Sequence, residues 1–203
     1  MKKNRTLLAK DLINFEKKVA EAFNSAKIKA PIHLHGNNEE QLIKIFKNIK
    51  AEDWVFSSWR SHYHCLLKGV DQSKLFNDIC DGKSITLIYP EHKIYTSAIV
   101  GGIIPIALGT AIAIKKTKSS EFVNLFIGGM TSETGTAHEA HKYAVSHDLP
   151  IRFIVEINHK SGCTDTLKTW NKTEYSLVGK PKVESYEYEL PWPHAGAGVR
   201  VQF

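Results

Sequence analysis

The segment that most constrains this chain runs FVNLFIGGMTSETG, Phe122 to Gly135, through a helical stretch to LPIRFIVEI, Leu149 to Ile157. Two continuous apolar runs bounded by turn residues suit strands buried on both faces, which a parallel sheet covered by helices provides. The spacing predicts strands over 122–127 and 149–157 with a helix over 136–147 between them, a βαβ unit. In such sheets ligands bind outside the carboxyl ends of the strands, where glycine turns expose backbone N–H groups and helix N-termini favour anions. The loops GGMTSETG and INHKSGCT therefore fall on the expected binding edge.

The first half carries helical spacing instead. Leu12, Phe15, Val19, Ala22 and Phe23 recur on one face and predict an amphipathic helix over 7–26. A second helix is predicted over 39–49, capped by Asn37 and Asn38, then an extended run over 53–58 and a helix over 61–70. Residues 71–98 read as mixed, with turn signals at DGK and YPEHK, and 105–116 as a buried helix. After Cys163 the chain is polar to about Lys182, and the alternation of VESYEYEL predicts a further strand, ending in PWPHAGAG. Together these predict an α/β fold, a three-layer α/β/α domain with a mainly parallel sheet and an N-terminal helical segment. The 203 residues accommodate one such domain and not two full-sized catalytic ones.

Several function classes are excluded. Hydrophobic residues at 42% and charged residues at 24%, with no biased tract, exclude a disordered or fibrous chain. The net charge of +6 comes from scattered lysines, with no basic run interleaved with aromatics, so no nucleic-acid partner is expected. Cys65, Cys80 and Cys163 are odd in number and lack CxxC spacing, which argues against disulfides and a thiolate zinc site and for a reducing cytoplasm. Lys10, Asp11 and Glu16 break the first apolar run, so no signal-peptide core is expected. Residues 94–114 carry no charge over the length of a membrane span, but Gly101, Gly102, Pro105 and Gly109 interrupt them, and a core helix is expected there. His138 and His141 share a helix face without the HExxH of a zinc peptidase, no GxSxG elbow is present, and GGMTSETG lacks the Walker GK[ST].

Four motifs in order, between about Leu12 and Thr164, resemble the alpha subunits of thiamine-diphosphate-dependent 2-oxo acid dehydrogenases, in the transketolase superfamily. IHLHGNNEEQ looks like the family's "H-L, then G-Q-E-A", with Glu39 at the acidic position. SSWRSHYHCLLKGV resembles "Y-R-x-H-G, then R/K-G", which implies that Trp59, Arg60 and His62 contact the cofactor diphosphate and the active-site mouth. SAIVGGIIPIALG is similar to "G-I-V-G, then P-x-A-x-G", implying backbone contacts from Ala98 and Val100 to the aminopyrimidine. Beyond these four, the last of which is the metal motif below, YEYELPWPHAGAG at 186–198 resembles, weakly, a family loop whose histidine lies over the cofactor, which makes His194 a catalytic candidate beside His62. The implied cofactors are thiamine diphosphate and Mg²⁺. The implied partner is a beta-type subunit with a pyrimidine-binding domain in an α2β2 heterotetramer, and the implied substrate is a 2-oxo acid or ketose.

The family's metal motif is a strand followed by G-D-G and, about thirty residues on, a strand ending in N-N. LFIGGMTSETG and FIVEINHKSGCT occupy those places, so the resemblance puts Gly128, Gly129, Met130 and Thr131 on the diphosphate and Asn158 and the Lys160 carbonyl on the metal. Gly129 falls where the family has its metal-binding Asp, and it has no side-chain oxygen for a hard cation. Three readings stay open: weak binding helped by Glu133, a degenerate non-catalytic or regulatory subunit, or a substituted residue one base change from Asp. Gly129→Asp is expected to tighten Mg²⁺-dependent binding of thiamine diphosphate.

Overall fold

The structure is a computed structural model that describes residues 7–171 and 174–203. The amphipathic face predicted near the start is buried in α1 (Ala9–Asn24), through Leu12, Phe15 and Val19. Then come α2 (Glu39–Phe46), β1 (Trp54–Ser57) and α3 (His62–Leu67). The stretch read as mixed contains α4 (Gln72–Cys80), whose N-cap Asp71 accepts from the N–H groups of Ser73 and Lys74. It continues through β2 (Ile88–Tyr89) to β3 (Ile94–Thr96). The uncharged stretch ends in α5 (Ile103–Thr117), and no helix among the described residues is long and apolar enough to cross a membrane.

The predicted βαβ unit is β4 (Val123–Gly128), the single turn α6 (Gly129–Ser132), α7 (Gly135–Ser146) and β5 (Ile151–Ile157). Thr134 caps α7 by accepting from the Ala137 N–H. A small hairpin, β6 (Lys160–Ser161) with β7 (Thr164–Asp165), leads into α8 (Thr166–Trp170), and β8 (Val183–Glu187) follows.

The main sheet has the order β2-β3-β1-β4-β5-β8, with only the β2–β3 pair antiparallel. Alternate side chains of the central strands feed two cores. Leu125, Ile127, Phe153 and Val155 pack with α5 and α7 residues, while Val55, Phe126 and Ile154 pack with α1, α2, α3 and α4. The molecule is therefore the expected α/β fold, a mainly parallel sheet between two helical layers.

The expected cap of α2 differs. Asn38 makes no side-chain cap hydrogen bond, because its amide reaches the Tyr186 hydroxyl at 3.1 Å and His35 Nδ1 at 3.3 Å. Residues 189–203 fold back over α1 and the loop before α2. Trp192 Nε1 donates to the His35 carbonyl at 2.7 Å, Asn24 and Phe203 exchange two hydrogen bonds, and Phe23 packs edge-on to Phe203. Gly36 permits this close approach, since a Cβ there would lie 2.6 Å from Pro191 Cγ.

Candidate functional site

Parallel strands end together, and the residues just beyond their carboxyl ends meet in one cleft. Trp59 and Arg60 follow β1, Val100 lies in the loop after β3, and Gly128 closes β4 ahead of Met130 and Thr131. Asn158 and Lys160 follow β5, and Tyr188 follows β8. Gly128 leaves open space above its backbone, with nothing within 4 Å of where a Cβ would point.

Four sequence candidates stand elsewhere. Ala98 is half-buried in the loop before Val100 and does not line the cleft. His62 is fully buried: its Nδ1 meets Glu16 Oε2 at 2.9 Å and its Nε2 meets Ser84 Oγ at 2.8 Å. This corrects its expected catalytic position, because α3 begins at His62 and turns the ring into the core. His194 borders the cleft without lining it. Its ring stacks on His33 at 4.5 Å, lies 6.4 Å from Trp59, and would approach a Cβ at Gly162 to 3.2 Å. Gly129 is buried beside the cleft, covered by Tyr175.

Residues that sequence reasoning passed over form the floor and one wall. Glu156 lines the cleft yet is only 7% exposed. Its carboxylate accepts from the Tyr186 hydroxyl, and Oε1 lies 3.4 Å from His64 Nε2, whose other nitrogen meets Ser57 Oγ at 2.8 Å. A lone carboxylate inside the apolar run Ile151–Ile157 was the available signal. Tyr188 accepts from the Asn158 amide at 3.4 Å.

The electrostatics separate cations from neutral imidazoles. Arg60 Nε donates to the Leu34 carbonyl at 2.9 Å, which fixes the guanidinium at the cleft. Burial and then the Arg60 charge push His33 down to about 3, and the same two causes lower His194. Both rings are neutral at pH 7, and their buried Nδ1 atoms lack hydrogen-bond partners among the described residues. Burial, and secondarily Glu156, raises Tyr186, so that phenol stays protonated as the donor to Glu156.

The two implied groups fare differently here. An anionic diphosphate fits: Arg60 and Lys160 supply cations, and Thr131 a hydroxyl, around the open glycine at 128. A Mg²⁺ ion does not fit. Asn158 Oδ1 already accepts the Lys160 N–H at 3.1 Å, position 129 offers no side-chain oxygen and its carbonyl accepts from the Ser132 hydroxyl at 2.6 Å, and the Glu133 carboxylate is engaged with Ser176. Hard cations require several oxygens, at least one of them usually a carboxylate.

A sequence model of the dehydrogenase E1 component family matches residues 9–182. The chain belongs to that family. This E1-type chain is 27% identical over 199 residues to the alpha subunit of acetoin:2,6-dichlorophenolindophenol oxidoreductase from Bacillus subtilis, covering 87% of the chain and 60% of that relative. It is 30% identical over 161 residues to the chloroplastic pyruvate dehydrogenase E1 component subunit alpha-3 of Arabidopsis thaliana, covering 71% and 38%. Against the Rickettsia prowazekii pyruvate dehydrogenase E1 component subunit alpha it is 27% identical, covering 78% and 52%. The E1-type chain thus spans between 38% and 60% of the length of these curated relatives.

Proposed function

We propose that this E1-type chain is the diphosphate-holding half of a split thiamine-diphosphate-dependent enzyme acting on a 2-oxo acid or ketose, completed by a beta-type partner in an α2β2 assembly. The observation that supports it best is convergence. Residues drawn from three separate motifs, at the ends of β1, β3, β4 and β5, meet in one cleft with a cationic rim. Three free cysteines suit the cytoplasm expected for it.

When bound, thiamine diphosphate supplies a nucleophilic thiazolium carbon that attacks a carbonyl and an electron sink for the bond broken next to it. The chain's own residues bind and position. Arg60 and Lys160 would neutralise the diphosphate, and Gly128, Met130 and Thr131 would line its seat with backbone N–H groups. Neutral His33 and His194, packed beside Trp59 at the border of the cleft, keep further positive charge away from that side. Tyr186 holds Glu156 at the cleft floor, so the carboxylate offers fewer free lone pairs to repel an anion.

Reconstitution with a beta-type partner tests this reading. Consumption of a 2-oxo acid that depends on thiamine diphosphate, reduced at least about tenfold by Asn158→Ala or Arg60→Ala, is the expected result. The rival, a non-catalytic subunit, is favoured by Gly129. It is selected if the assembled pair binds the cofactor but consumes no 2-oxo acid or ketose.

A further inference from the structure

We infer that Tyr175 stands where this fold would seat a divalent cation, so that a diphosphate in the cleft is held by protein cations and N–H groups without a metal. The ligand half of this rests on the cleft reading above; the metal half can be tested without any ligand.

Three features act together. First, Gly129 leaves room: a Cβ there would lie 2.6 Å from Tyr175 Cε1, 2.9 Å from Cζ and 3.2 Å from the hydroxyl oxygen. The ring therefore occupies the space into which an acidic side chain would project. Second, the ring is held. Its hydroxyl shares a hydrogen bond with Thr166 Oγ1 at 3.2 Å, and Leu177 two residues on is buried in the α5/α7 core. Third, Glu133 locks the segment. Its carboxylate accepts from the Ser176 N–H at 2.7 Å and from the Ser176 hydroxyl at 2.8 Å. Glu133, the acid nearest along the chain to position 129, thus fastens the neighbour of Tyr175.

An accidental loss of Asp would leave a void beside α6, whereas here an aromatic ring fills it. Gly129 and Tyr175 are a matched pair, and Gly129→Asp alone cannot rebuild a metal site because the ring blocks its Cβ. The charge a cation would bring is partly replaced by Arg60 and Lys160, offset by Glu156.

The experiment uses the full chain with its beta-type partner, stripped of metal, and Mn²⁺ read by electron paramagnetic resonance. The wild type is expected to bind no Mn²⁺ at the site. The double variant Gly129→Asp/Tyr175→Ala, shown to be folded by circular dichroism, is expected to bind one equivalent at least about tenfold more tightly, a gain lost on adding Asn158→Ala. A wild type that holds one equivalent of Mn²⁺, released by Asn158→Ala, overturns the inference.

Quenching of tryptophan fluorescence by thiamine diphosphate supplies the second arm. Affinities in EDTA and in Mg²⁺ that agree within about twofold support metal-free binding, and a loss of about tenfold in EDTA overturns it. Quenching in neither buffer sinks the ligand reading and leaves the Mn²⁺ result to decide the metal one.

Discussion

Replacing Gly129 by Ala probes the packing beside the cleft with one methyl group. Carbon atoms attract best at about 3.5–4.0 Å, so a Cβ 2.6 Å from the Tyr175 ring is about 1 Å too close. Overpacking of this kind costs about 1–3 kcal/mol. Against it stands the conformational advantage of Ala over Gly in a helix, about 0.5–1 kcal/mol, and less in a single turn such as α6. The net expectation is a loss of about 0.5–2 kcal/mol in wild-type surroundings. In a Tyr175→Ala background the ring is gone and the same change becomes neutral or stabilising by up to about 1 kcal/mol. Urea unfolding of the four proteins in the cycle, followed by circular dichroism, should give a coupling of about 1–3 kcal/mol. If Gly129→Ala is neutral with Tyr175 in place, or if the two changes add within about 0.5 kcal/mol, the ring does not fill that space.

Stability should fall in mild acid. His33 titrates near 6.5 when unfolded and at about 3 when folded, so between these values the unfolded chain binds more protons. Its contribution is fully present above pH 6.5 and is lost as the pH drops toward 3; urea midpoints at pH 7.5 and 5 should differ less in His33→Phe than in the wild type. Glu16→Ala should cost about 3–5 kcal/mol in urea unfolding, because it strips the buried His62 Nδ1 and the His35 N–H of their shared partner. Arg60→Ala should weaken inorganic pyrophosphate binding about tenfold, one charge-assisted hydrogen bond lost. It should also raise the pKa of His33, measured by nuclear magnetic resonance; an unchanged His33 would mean that the guanidinium charge does not reach the ring.

The sheet and its binding edge were legible because both are local patterns. Two apolar runs around a glycine turn predicted β4 and β5, and the rule that ligands meet strand carboxyl ends then pointed to the loops GGMTSETG and INHKSGCT, within which only the family resemblance singled out Gly128, Asn158 and Lys160. The α4 helix was lost in a mixed stretch because its buried positions, Leu75, Phe76 and Ile79, are few and Ser73, Asn77 and Asp78 among the rest are weak helix formers. His62 misled because it sits two residues from Arg60 in the motif, yet the start of α3 between them turns its ring to the opposite side. Tyr175 was beyond reach. It lies in a stretch that reads only as polar, far along the chain from Gly129, and nothing local tells which side chain will enter a gap left by a glycine.

The strap of residues 189–203 bears on the order in which the molecule assembles. Its hydrogen bonds to α1 and to the loop before α2 join residues 152, 157 and 179 positions apart. Closing loops that long costs chain entropy before any contact repays it, so the pairing of β4 with β5, which spans about thirty residues, is expected to come earlier. The His33–His194 stack bordering the cleft, half of which rides on the strap, is then expected to form after the strand edge that lines the cleft.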